Sequence, residues 1–208
     1  MDSEAQLLEV LLDAQAQGFL GPGDPASHLS HALGFADAAL TCGPPPERFA
    51  DLGTGGGVPG LVLAALWPES NAGLIESSAR RCTALRTWIE QLGLGDRVEV
   101  LEGRADSWAR NPSRRETFDL VTARSFARPG ITGEIAAGLV RIGGILVVSE
   151  PPTGSEDRWP KDLVGQLGFA PAVPVLARDA HYACLRKTQA AADKVPRQAA
   201  RLRKRPLF

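Results

Sequence analysis

Residues 51–60 read Asp-Leu-Gly-Thr-Gly-Gly-Gly-Val-Pro-Gly, running out of a short apolar segment, Phe49–Leu52, and standing directly before a second one, Leu61–Leu66. Glycines at 53, 55 and 57 let a chain turn sharply and let its backbone approach a ligand closely, because none carries a Cβ. The same order of short segment, turn and helix recurs outward from this loop. Ala72–Ile75 precedes a helical pattern over Ala79–Leu92, Val98–Leu101 precedes Ala105–Arg110, and Phe118–Thr122 precedes Ile131–Leu139 and then Ile145–Val148. Strand followed by helix, repeated, predicts βαβ units and a parallel sheet. Val173–Leu176 and Tyr182–Leu185 lie too close together for a crossover helix and predict an antiparallel hairpin at one edge. Two helices, Glu4–Gln17 and about Ala26–Leu40, come first. The expected fold is therefore α/β, Rossmann-like, with a mostly parallel seven-stranded sheet, an antiparallel edge hairpin and short N-terminal helices.

The loop limits the chemistry. A phosphate-binding loop of the nucleotide-hydrolysing kind needs Lys after its last glycine, and Leu61 follows Gly60. Gly55 to Gly60 fits the dinucleotide pattern, but Asp51 just ahead of the first glycine would set a carboxylate against a pyrophosphate. An acid there suits a cationic ligand. Glu76 closes the second strand, 23 residues past Gly53, where a carboxylate can accept both hydroxyls of a ribose. Asp106 follows the third strand, placed to read an adenine edge or to cap a helix. Two acids and spaced glycines at strand ends fit S-adenosylmethionine, which is cationic and carries a ribose.

The chain has 208 residues, 44% of them hydrophobic, enough to bury a sizeable core. Its 23 Lys and Arg against 24 Asp and Glu give a net charge of −1. That average conceals a split. Lys194, Arg197, Arg201, Arg203, Lys204 and Arg205 lie in the last fifteen residues, which hold no acid, leaving 17 basic against 24 acidic side chains before them. A basic, proline-spaced tail reads as an RNA-binding arm that is mobile until it meets phosphates, with Arg197, Arg201, Arg203, Lys204 and Arg205 as its contacts. On that reading, deleting residues 194–208 weakens RNA binding and leaves cofactor affinity unchanged.

The longest strictly apolar run, Leu61–Trp67, is far too short to span a membrane, and Asp2 and Glu4 stand where a secretory signal would carry basic residues. A cytoplasmic protein with no membrane partner is expected. Cys42, Cys82 and Cys184 form no CxxC pair and predict neither a disulfide framework nor a metal site. The expected organisation is an N-terminal helical segment (1–45), a catalytic domain (46–190) and the basic tail (191–208).

The chain resembles the small-subunit ribosomal RNA guanine-N7 methyltransferases, also called the glucose-inhibited division protein B family. The resemblance rests on residues 51–60, on Arg-Ala-Asp at 104–106, on Phe-Asp-Leu-Val-Thr-Ala-Arg-Ser-Phe-Ala at 118–127, and on Pro196-Arg197 and Lys-Arg-Pro-Leu at 204–207. It implies a class I S-adenosylmethionine-dependent methyltransferase fold, with cofactor contacts at Gly53, Val58, Ala105, Asp106 and Arg124 beside those read above at Asp51, Gly55, Gly57 and Glu76. It also implies small-subunit ribosomal RNA, or the ribosomal subunit, as partner, and N7 of a guanine as the methyl acceptor. Arg124, at the end of the fourth strand, would grip a phosphate or the target base bidentately, as a substrate-positioning group. Guanine N7 offers an in-plane lone pair, so no base need remove a proton. The three histidines read as structural.

Two departures touch the substrate side. The family's His-x-x-Asp-Ser becomes His31-Ala-Leu-Gly34-Phe, and Leu-Val-Val-Ser149-Glu-Pro stands where the family carries Ala-Leu-Lys. The family's Trp-Asn and Asn-Leu-Thr stretch also has no counterpart. A methyltransferase of the same fold acting on a small molecule, or a catalytically silent cofactor-binding or ribosome-binding module, remains compatible with these residues.

Overall fold

A computed structural model describes residues 3–152 and 158–208; Asp2 of the acidic start noted above lies outside them. In chain order the elements are α1 (Ser3–Ala16), α2 (Pro25–Leu40), β1 (Arg48–Leu52), α3 (Gly60–Leu66), β2 (Asn71–Glu76), α4 (Ala79–Gln91), β3 (Val98–Glu102), α5 (Ala105–Trp108), β4 (Phe118–Ala123), α6 (Pro129–Ala137), β5 (Val140–Glu150), α7 (Lys161–Gln166), β6 (Val173–Ala177), β7 (Ala180–Arg186) and α8 (Ala199–Lys204). The seven strands form one sheet in the order β3-β2-β1-β4-β5-β7-β6. β7 runs antiparallel to both β5 and β6, and the other pairs are parallel. The strand order reverses between β1 and β4, so the ends of those strands open a crevice where a ligand can enter.

Both faces of the sheet are covered, which is why its strands read as continuous apolar runs. Ala50, Leu52, Ile75, Val121, Ala123, Leu146 and Val148 point to one side, where α5, α6 and α7 pack. Phe49, Leu74, Leu120, Ile145 and Val147 point to the other, against α2, α3 and α4. The N-terminal helices thus share a core with the sheet. α2 starts cleanly: Asp24 accepts from the Ala26 amide at 3.0 Å and Pro25 occupies the first helical position.

The tail differs from the expected mobile arm. Val195 and Leu202 are buried in the core on the α6 side, Leu207 and Phe208 pack against it, and the Phe208 ring meets Trp159 edge-on at 5.9 Å. Arg197, expected to contact RNA, turns inward: its guanidinium and its backbone N–H all donate to Glu134 of α6, at 2.7–3.1 Å. Glu134 is buried, so the pair holds the tail against the domain. Lys194, Arg201, Lys204 and Arg205 are exposed. The Arg203 side chain lies outside the described residues. No described helix is long and apolar enough to cross a membrane, and among the described residues no cluster of His, Cys, Asp or Glu could hold a metal ion.

Candidate cofactor and substrate site

The glycine loop leaves β1 in a left-handed conformation that side chains disfavour: φ is +63° at Gly53, +58° at Gly55 and +84° at Gly57. Gly53 also has no room for a larger residue, because a Cβ there would lie 2.7 Å from Phe126 Cδ2. The loop is tied to the next strand by Thr54 N–H on Ile75 O (3.1 Å) and Gly55 N–H on Glu76 Oε2 (3.1 Å). Oε1 of Glu76 accepts from the Ser77 and Ser78 amides at 2.7 and 2.9 Å. One carboxylate therefore fixes the loop, the end of β2 and the approach to α4.

Asp51 is placed differently from the expectation that it meets the ligand directly. Its carboxylate is fully buried, accepting from Thr122 Oγ1 (2.8 Å) and from the Gly60 amide that opens α3 (3.1 Å). Burial pushes its pKa up, and the Thr122 hydroxyl, the Gly60 amide and the Arg124 charge oppose that rise. Asp51 shapes the loop from behind.

Three adjoining cavities follow the strand ends. One of about 250 Å³ is walled by Gly53, Glu76, Ala105, Asp106, Phe126 and Ile131, among others. A second, of about 360 Å³, shares Gly53 and adds Gly55, Val58, His28 and Arg124. A third, of about 390 Å³, lies at the ends of β4 and β5 and takes in Arg124, His31, Ser149, Glu150 and Arg158. The structure thus brings Gly53, Gly55, Val58, Glu76, Ala105, Asp106 and Arg124 to one crevice. Asp106 is not the cap of α5, which is Arg104; it is the second helical residue. Its buried carboxylate pairs with Arg104 (2.7 Å) and Arg110 (3.1 Å).

Two residues read as structural from the sequence belong to the crevice. Arg124 Nη2 lies 2.9 Å from His28 Nδ1. A guanidinium only donates, so His28 accepts through Nδ1 and its Nε2–H is left to donate to Gly21 O at 3.1 Å. His31 stands one turn along α2 on the same side, and the i, i+3 spacing was the available signal. The glycine in the altered His31-Ala-Leu-Gly34-Phe stretch is explained by packing: a Cβ at Gly34 would collide with Tyr182 Oη, and that hydroxyl donates to His31 O at 2.7 Å. Glu150, in the stretch that stands where the family carries Ala-Leu-Lys, accepts from Trp159 Nε1 (2.7 Å) and pairs with Arg158 (2.9 Å); burial raises its pKa, while Trp159 and Arg158 oppose this.

Burial, together with the charges of Arg124 and His28, lowers the His31 pKa to about 4. The unfolded chain takes up this proton near pH 6.5 and the folded chain only near 4. His31 thus contributes its full stability above pH 6.5 and loses it as pH falls through that window. Denaturant midpoints of the parent and of His31→Gln, measured from pH 7.5 to 4, should converge or cross as the parent loses this contribution; curves that stay parallel would refute the assignment.

The sheet order with its reversed last strand, the glycine loop after β1, the acid ending β2 and the crevice at the switch point define a class I methyltransferase fold. The Bacillus cereus O-methyltransferase solved in complex with SAH shares that fold at a TM-score of 0.62, with 19% identity and coverage of 88% of this chain and 91% of that one. Residues 25–150 match the family described as rRNA small subunit methyltransferase G, and the chain belongs to that family. The ribosomal RNA small subunit methyltransferase G of Symbiobacterium thermophilum is 37% identical over 146 residues, 67% of this chain and 59% of that protein. The protein of the same name from Lactobacillus delbrueckii subsp. bulgaricus is 31% identical over 180 residues, 83% of this chain and 72% of its own. The chain spans about half the length of several of the curated relatives it matches, 46–59%.

Proposed function

We propose that the chain binds S-adenosylmethionine and methylates N7 of a guanine in small-subunit ribosomal RNA, in the cytoplasm. The observation that carries the cofactor half is the pairing of Glu76 and Asp106 on the wall of one cavity that begins at Gly53. The residues suit the cofactor: Glu76 Oε1 is filled by the Ser77 and Ser78 amides, while Oε2 accepts only the Gly55 amide and keeps a lone pair for a ribose hydroxyl, the Ala105 and Asp106 turn faces the adenine edge, and Phe126 and Ile131 cover an apolar ring. When bound, S-adenosylmethionine supplies an electrophilic methyl on a sulfonium.

The rest is positioning, since N7 needs no deprotonation and holding the two reactants in line can account for most of the rate. Arg124 stands between the second and third cavities, with its guanidinium oriented by His28. It is the group to hold the guanine, through O6 or through the adjoining phosphate. Arg201, Arg203, Lys204 and Arg205 are the RNA contacts of the tail on this reading. Arg197 is spent on Glu134.

Transfer of labelled methyl from S-adenosylmethionine to small-subunit RNA, followed by mapping of the base, tests this. Label is expected on guanine N7, with activity falling steeply as salt is added. Arg201→Ala, Lys204→Ala and Arg205→Ala combined should flatten the slope of log affinity against log salt by about 2, from ~0.7 per lost single-strand phosphate contact. The absence of the family's lysine from the stretch that brings Ser149 and Glu150 to the third cavity favours a second reading, a different acceptor there. Label entering only small molecules would put that reading first.

A further inference from the structure

The tail bears on the cofactor cavity itself. Ala199 and Leu202, three residues apart on α8, form part of the wall of the 250 Å³ cavity, facing Glu76, Asp106, Ile131 and Ile135. Leu202 is buried although four basic residues lie within four positions of it. A run of specific contacts brings the helix there. Lys187 Nζ, itself buried, donates to Glu116 at 3.0 Å, and the same Glu116 oxygen accepts from the Ala191 amide at 2.8 Å. The Arg115 guanidinium then donates to the carbonyls of Ala191, Ala192 and Val195. Arg197 locks onto Glu134, and its carbonyl accepts from Arg110 at 3.2 Å. Arg110 also holds Asp106, so one arginine spans the cavity's acid and the tail.

Resting on the cofactor reading above, we infer that Ala199 and Leu202 are binding residues of the cofactor site: they contact the purine ring and close its apolar side. Arg197 and Glu134 are positioning residues that hold α8 in place. The division of labour follows from the surfaces. An adenine has apolar faces and polar edges, and this cavity sets Ile131, Ile135 and Leu202 beside Glu76 and Asp106. The inner side of α8 faces the cofactor while Arg201, Lys204 and Arg205 stay in solvent for a polyanion. The tail is thus a wall of the cofactor site as well as a basic surface, which reverses the expectation that its deletion leaves cofactor affinity unchanged.

Titration of the full chain with S-adenosylhomocysteine tests this. Leu202→Trp, which fills the cavity, is expected to weaken binding at least tenfold, and Leu202→Ala severalfold. Glu76→Ala in the same titration reports on the cofactor reading alone. If Glu76→Ala loses affinity and Leu202→Trp binds like the parent, α8 is no part of the site and the inference falls while the cofactor reading stands. If the parent does not bind, both fall. Hydrogen exchange on the unaltered chain needs no variant to fold: amides of residues 199–205 should slow at least tenfold with saturating S-adenosylhomocysteine, and unchanged exchange there overturns the inference.

Discussion

Arg197→Ala is expected to destabilise the protein by about 3–5 kcal/mol, the cost of leaving a buried charge without its partner. Glu134 is 1% exposed, and the guanidinium donates to both of its oxygens, at 2.8 and 3.1 Å from Nε and 2.7 Å from Nη2. Without that guanidinium, the carboxylate keeps the Arg197 backbone amide alone among these donors. For a chain of this size the loss corresponds to a fall in Tm of roughly 6–20 °C. Arg201→Ala, four positions further along the same basic tail but exposed, should lie within about 0.5 kcal/mol of the parent. Thermal unfolding of the two variants separates the docked tail from a solvated arm, for which both substitutions would be silent. Replacing both members of the pair, as Arg197→Met with Glu134→Leu, should recover much of the loss, because the isolated charge and not the missing attraction is the main cost.

That contrast shows what a sequence carries and what it does not. The alternation of β1 to β5 with their helices was legible because each parallel strand is covered on both faces, so Ala72–Ile75 or Ile145–Val148 must be apolar throughout. The glycine loop was legible because its φ values demand glycine. β5 begins earlier than the apolar run, at Val140, since Gly143 and Gly144 read as a turn while the strand continues through a register irregularity against β4. α7 and α8 went unread for a different reason. Each is six residues, and α8 has only Ala199 and Leu202 as its inward side, too little for a period to emerge.

The charged residues were legible in type and not in direction. A count of basic side chains cannot tell that Arg197 meets Glu134 across 63 positions, or that Arg115 and Arg110 hold carbonyls of the tail. Asp51 shows the same limit in reverse. Its place before the glycines marks the loop, yet its oxygens turn to Thr122 and Gly60, so what it fixes is the loop itself. His28 and His31 enter the site because α2 packs across β5, β6 and β7 and meets Arg124 just past β4, long-range contacts that α2's own sequence does not state.

Glu76→Ala is expected to weaken S-adenosylhomocysteine binding by more than 100-fold. The charge-assisted bond that the open Oε2 lone pair makes to a ribose hydroxyl contributes about 1.5–3 kcal/mol, and a tenfold change corresponds to about 1.4 kcal/mol. The structural bonds add to this loss: without the carboxylate the Gly55, Ser77 and Ser78 amides lose their acceptor, so the loop and the approach to α4 are freed together. The ribose share can be isolated with an analogue lacking the 2′ and 3′ hydroxyls. The parent should bind this analogue far more weakly than S-adenosylhomocysteine, whereas Glu76→Ala should bind the two alike, because the partner of those hydroxyls is already gone. The same pattern should appear in thermal shifts, where saturating ligand raises the Tm of the parent and leaves that of the variant nearly unmoved. A variant that still distinguishes the two ligands as the parent does would place the ribose elsewhere, and with it the orientation of the cofactor along β2.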